Sequence, residues 1–178
     1  MGVRIGIVLL AAWWLGSPSW AQQRQHDPLN SLEIDQLRDS ALEPEQRLKL
    51  YVQFARARLD AVEHARTDPK VTDRGQEIHD RVQDFLDVYD ELNNNIDNFV
   101  GRKADLRKPL KLILDADTEF QAKLRALKDA ANVSPEEANK YHFVLTNALD
   151  TVDDSNKDHR DLLAEQEEAA KHKKPGKQ

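Results

Sequence analysis

The 178-residue chain has no cysteine. That excludes disulfides, thiolate catalysis, Cys-type zinc sites, iron–sulfur clusters and a lipid-modified N-terminal cysteine. Glycine is scarce, with 6 residues, few for a nucleotide-binding α/β fold or a turn-rich β fold. No run alternates apolar and polar residues in the strand manner. Long apolar runs are also missing. The longest, Ile5 to Leu15, falls short of the ~20 residues that cross a membrane. Basic residues are outnumbered, 26 Lys+Arg against 32 Asp+Glu, for a net charge of −6. What is present is a chain 39% hydrophobic and 33% charged, of a length that suits one domain.

Residues 1–21 have the three parts of a secretory signal peptide. Arg4 is followed by the apolar run, then by Gly16, Ser17 and Pro18, and then by Ser19-Trp20-Ala21 with small residues at −3 and −1. Cleavage is expected after Ala21, giving a chain that starts at Gln22 with net charge −7. No twin arginine is present, so general secretion to a periplasm or the extracellular space is expected. No span is expected in the mature chain. An exported chain without cysteine depends on its core for stability.

The remainder reads as helices. Residues 22–30 are polar and expected to be a flexible extension, 31–170 a helical bundle, and 171–178 (KHKKPGKQ) a disordered basic tail. A short first helix runs from Ser31 to about Leu42, with Ile34, Leu37 and Ala41 on one face. Pro44 opens a second helix to about Arg66, with two apolar stripes through Leu48, Val52, Leu59 and Leu50, Phe54, Ala61. The third, from about Asp73 to Val100, has a heptad seam of Ile78, Val82, Phe85, Tyr89, Leu92, Ile96 and Phe99, and Gly101 is expected to stop it. The fourth begins between Ala104 and Pro109 and carries Leu106, Leu110, Ile113, Asp117, Phe120, Leu124 and Leu127. Ser134-Pro135-Glu136-Glu137 starts the fifth, lined by Tyr141, Leu145, Ala148 and Val152 and running to about Ala170. Short connections predict an all-α, antiparallel up-down bundle of four long helices plus the short N-terminal one. The segment charges alternate: +2 for 44–67, −6 for 73–100, +3 for 101–131 and −7 for 132–170. Sequential packing would then put opposite signs side by side and like signs on the diagonal.

Four constellations bear on chemistry. Asp80, Asp84, Asp87 and Glu91 form an acidic stripe expected to face solvent. Asp117 interrupts a heptad seam, and a lone buried carboxylate is costly unless paired. Arg56, Arg58 or a histidine from another helix are the candidate partners, and an ion pair with Arg58 is the expectation. The six histidines show no His-Glu-x-x-His or Glu-x-x-His spacing, so neither the zincin nor the di-iron pattern is present. Asp60, His64 and Asp68 share an i, i+4, i+8 spacing that fits surface ion pairing better than a metal site. Arg102, Lys103, Arg107, Lys108, Lys111 and the tail lysines lack aromatic interleaving, so nucleic acid is not an expected partner.

Leu42-Glu43-Pro44-Glu45-Gln46 is similar to the Leu-Thr-x-x-Gln helix-start motif of Spy-type periplasmic chaperones and metal-stress proteins, with Glu in place of Thr. Val133-Ser134-Pro135-Glu136-Glu137 is a looser echo. The resemblance spans ten residues and does not assign the chain to that family. It implies an exported helical protein of stress protection. The residues themselves lead to an exported bundle that acts by binding, as a scaffold, interaction or stress-protection module, and not by catalysis. A periplasmic metal-binding or metal-sensing bundle is the alternative. No catalytic residues, no cofactor and no metal ligands are expected. A protein partner or second copy is expected to use the wide apolar face of helix 44–67.

Overall fold

The structure, a computed structural model, describes residues 27–131 and 133–172. The segment read as a signal peptide and most of the basic tail lie outside the described residues. Five helices follow in order: α1 (Ser31–Asp39), α2 (Pro44–Thr67), α3 (Arg74–Gly101), α4 (Arg107–Lys128) and α5 (Pro135–His172). Local chemistry sets the starts. Asn30 caps α1 in a reciprocal box with Glu33. Pro44 and Pro135 occupy first helical positions, where the missing N–H has no intrahelical partner to lose. Asp73 accepts from the Gln76 N–H to cap α3. Pro109 falls in the first turn of α4 and causes no break.

Gly101 does not stop α3. It is the last helical residue, and Lys103 takes the left-handed conformation at φ 58°. The Ala104 N–H reaches the Phe99 carbonyl and the Lys103 N–H reaches that of Val100. This paired closure satisfies two terminal carbonyls. At the opposite end of α3, a Cβ on Gly75 would stand 2.8 Å from the Lys140 side chain and 3.0 Å from the Glu137 carbonyl. The glycine lets the first turns of α3 and α5 approach closely.

The long helices alternate in direction, as an up-down bundle requires, but their order around the bundle is not sequential. α2 packs on α3 and α4 on α5, α2 also lies beside α4, and α3 lies beside α5. Arg56 meets Glu119 and Asp60 meets Lys123, each pair 63 residues apart. That constant offset makes α2 and α4 parallel. Asn93 opposite Ser155 and Arg74 opposite Glu137, at offsets of 62 and 63, do the same for α3 and α5. α3 and α4 therefore stand on the diagonal. They meet through core side chains, with Phe85 edge-on to Phe120 at 5.4 Å and Tyr89 edge-on to it at 6.2 Å. The expected charge pattern is thereby overturned. The two acidic segments are neighbours, and so are the two basic ones.

The heptad seams of α3 and α4 are buried throughout, including Phe85, Tyr89, Leu92, Ile113 and Phe120 at no exposure. On α2 the first stripe is inside with Leu48, Val52, Ala55 and Leu59, while in the second Phe54 is buried and Leu50 and Ala61 are half-buried. α1 lies on α2 and ends at Asp39, three residues before the expected end. Its inner side is Glu33, Leu37 and the following Ser40, while Ile34 and Ala41 face out. Polar groups fix this orientation. Arg58 holds Glu33 and the Pro28 carbonyl, and Arg47 binds the Leu37 carbonyl and Asn95. Residues 27–30, read as the end of a flexible extension, thus lie against α2. α5 continues to His172, two residues into the segment read as tail.

Candidate functional site

Asp117 is fully buried, and Arg58 is not its partner. The Arg58 guanidinium is turned outward to Glu33 at 2.6 Å, and Arg56 binds Glu119 at 2.8 Å. Asp117 instead takes three donors from the two neighbouring acidic helices. The Tyr89 hydroxyl of α3 donates to Oδ1 at 2.7 Å, and His159 Nδ1 of α5 meets Oδ2 at 2.9 Å. Asn156 Nδ2 reaches the same Oδ2 at 3.4 Å. A carboxylate only accepts, so His159 Nδ1 carries its proton toward Asp117. Burial, reinforced by the adjacent carboxylate, raises the Tyr89 hydroxyl far above its ordinary range, so it stays a donor.

The helices place this network by spacing. Tyr89 and Asn93 are four apart on α3, as are Ser155 and His159 on α5, so each pair shares a face. Asn93 Nδ2 donates to Ser155 Oγ at 2.9 Å, bridging the two helices. Asn93 Oδ1 is buried without a hydrogen-bond partner. His159 is 4% exposed. Only its Nδ1 is engaged, and Nε2 has no partner among the described residues.

Between α3 and α5 a cleft of about 290 Å³ opens over these groups. His159, Asn93 and Ser155 line its polar side, and Ile96, Val100 and Leu162 its apolar side. Asp97 and Asp158 complete the lining. A larger hollow at one bundle end, lined by Pro44, Pro109 and Lys108, differs in kind. Its charged groups are paired to one another, Lys108 with Glu45, Arg107 with Asp105 and Lys111 with Glu167.

The acidic stripe does not hold together as expected. Asp80 and Glu91 are exposed and Asp87 is partly so, but Asp84 is 6% exposed and bonded to Arg81 at 3.4 Å. α3 buries Leu86 and Val88 beside its seam, because it is flanked by α2 on one side and α5 on the other. Its apolar arc is therefore wider than one heptad seam and takes in Asp84. His142 of α5 is exposed. Among the described residues no three His, Asp or Glu side chains are placed to hold one metal ion, the Asp60–His64–Asp68 spacing included.

Tyr89, Asn93, Ser155, Asn156 and Gln166 escaped the sequence reading. Gln166 accepts from the Leu106 N–H at 2.7 Å and donates to the Ala104 carbonyl, tying the α3–α4 connection to α5. A signal was available. Continuing the α5 seam past Val152 in steps of four and three lands on Asn156 and His159, polar residues at core positions facing a polar residue on α4. Comparison with protein families, curated proteins and solved structures finds no match to this chain.

Proposed function

We propose that this is an exported helical-bundle protein that acts by binding, and that the cleft between α3 and α5 is its ligand site. One observation carries the reading. His159 is buried, its ring is fixed through Nδ1 by Asp117, and its second nitrogen is left without a protein partner where the ring lines the cleft. A concave site with a few converging polar groups and an apolar wall is the usual form of a small-ligand site.

The surroundings favour binding over bond-making. Ser155 Oγ accepts from Asn93 Nδ2 and is hydrogen-bonded with the Tyr89 hydroxyl, and it makes no hydrogen bond to His159. The cleft is walled by helix interiors, whose backbone N–H groups are spent on the helices. They offer no converging pair to stabilise an oxyanion. Export is supported by the pattern of residues 1–21.

The test is a ligand panel of amines, carboxylates, neutral alcohols and divalent metal ions, read by thermal unfolding and by the imidazole NMR signals of His159. A bound ligand raises the unfolding midpoint and moves those signals. The reading fails if no member of the panel moves them. A divalent ion moving them alone would favour the metal-binding alternative. N-terminal sequencing of the secreted form should give Gln22, and an intact Met1 in a membrane fraction would overturn export.

A further inference from the structure

We infer that the α3–α5 cleft takes a small organic cation, a primary ammonium carried on a short alkyl arm. The inference rests on the reading of the cleft as a ligand site and adds the ligand's chemistry.

The oxygens that the cleft leaves without side-chain partners among the described residues, on Asn93, Asp97 and Asp158, are acceptors. Asn93 Oδ1 is buried and unpaired. His159 Nδ1 is turned to Asp117, which leaves Nε2 at the cleft wall with no partner among the described residues. Asp97 and Asp158 are exposed carboxylates that no other side chain engages among the described residues. An ammonium has three donors and no acceptor, which complements this set. An anion would meet two carboxylates of its own sign. Both charged residues lining the cleft are acidic, and it lies between the segments of net charge −6 and −7. The bundle's unexpected helix order is what brings those two segments together and focuses a negative potential there.

Size and wall chemistry narrow the ligand further. About 290 Å³ is at or below the low end of the roughly 300–1,000 Å³ of small-molecule sites, so nucleotides and larger cofactors do not fit. Ile96, Val100 and Leu162 give the arm an apolar surface. A bare divalent ion needs several oxygens converging on one point, and among the described residues no three His, Asp or Glu side chains converge in that way.

The experiment is calorimetric titration of the full exported chain with n-butylammonium and with 1,4-diaminobutane at fixed ionic strength. 1-Butanol, butyrate and Mg²⁺ serve as comparison probes, and His159 imidazole signals are followed in parallel. Saturable one-to-one binding of the ammonium probes is expected, with displacement of the His159 signals. Changing Asp97→Asn and Asp158→Asn together should weaken it at least tenfold. These residues are exposed, so the variant should keep the wild-type circular dichroism. Changing Asp80→Asn and Asp87→Asn on the same acidic helix but outside the cleft should leave it within twofold. Equal weakening by both pairs would mean diffuse counterion attraction and overturn the inference. So would Mg²⁺ displacing the ammonium. Binding of butyrate or butanol with movement of His159 would overturn the cation but keep the cleft as a binding site. No movement with any probe would overturn both.

Discussion

The two parallel helix pairs of the bundle are joined by different chemistry. α2 and α4 are crossed at three heights by ion pairs, Glu45–Lys108, Arg56–Glu119 and Asp60–Lys123. α3 and α5 both carry excess acid. Their first turns share Asp73–Lys140, but at mid-length their bridge is the neutral Asn93–Ser155 bond. Beneath it Tyr89 and His159 turn inward to Asp117 of α4, the helix diagonal to α3 and packed on α5. α2 and α4 are both net basic, yet they set individual acids and bases opposite one another, so side chains at the surface close their seam. α3 and α5, with acids facing acids over most of their length, are joined at mid-length from inside, and between them a cleft remains. One pair is a fastening and the other an opening.

The largest effect should come from the core both pairs share. Phe120 is fully buried against Phe85 and Tyr89, so Phe120→Ala should cost about 3–5 kcal/mol in chemical denaturation. An unchanged midpoint would mean that the diagonal contact does not unite the two pairs. Asp117→Asn should cost about 3 kcal/mol, because an amide presents a donor to donors that the carboxylate satisfied. The comparison makes this loss specific to the acidic side. Hydrogen exchange should rise in α3 and α5 around Asn93 and Ser155 before it rises between α2 and α4. Arg58→Ala should cost about 1–3 kcal/mol by leaving the mostly buried Glu33 carboxylate unpaired. Its exchange signature should be confined to residues 27–30 and α1.

Smaller effects separate the pairs by pH. Glu119 is held below the usual carboxylate range by its hydrogen bonds to Arg56 and then by Lys123. Its contribution is full above the unfolded glutamate value, ~4.3, and is lost as pH falls through the folded value. Glu119→Gln should cost under about 1 kcal/mol at neutral pH, less in high salt, since the pair is more than a third exposed. Asp90 on α3 is raised, first by partial desolvation and then by Asp87 and Glu91. A raised carboxylate favours folding fully below the unfolded aspartate value, ~3.9, and loses that effect as pH rises through its folded value. Asp90→Asn should therefore stabilise slightly at pH 7, by less than about 0.5 kcal/mol, with the gain vanishing below pH ~3.9. Equal pH responses from the two sites would erase the contrast.

Much of this was legible in the sequence. Heptad steps through Ile78 to Phe99 and Leu106 to Leu127 give the helices and their buried sides, because a repeating apolar spacing has one way to be satisfied. Asp117 stands out as the member that breaks its row. Its partner was not legible from charge. Arg58 is a plausible cation by type, but pairing is decided by which helices are neighbours, and helix order around a bundle is not encoded in seam spacing. The same gap explains the inverted charge pattern. Alternating sign along the chain suggests sequential packing, yet burial of the seams dominates, and surface charge is too weakly coupled to choose the order. Asp84 was misplaced because a single seam was read for a helix that serves two neighbours.

The separation of 63 residues across the α2–α4 ion pairs, and of 62 at the Asn93–Ser155 bridge between α3 and α5, also bears on how the chain finds its fold. Within each hairpin, α2 with α3 and α4 with α5, contacts near the turn close short loops and form early. The ion pairs between α2 and α4 and the Asn93–Ser155 bridge, which join one hairpin to the other, close loops of 62 or 63 residues. Docking of one hairpin on the other is then the late step, and the Tyr89–Asp117–His159 network, which draws on both hairpins, completes only with it. Ala substitutions near the 68–73 turn should slow folding, whereas substitution at Asp117 should mainly speed unfolding.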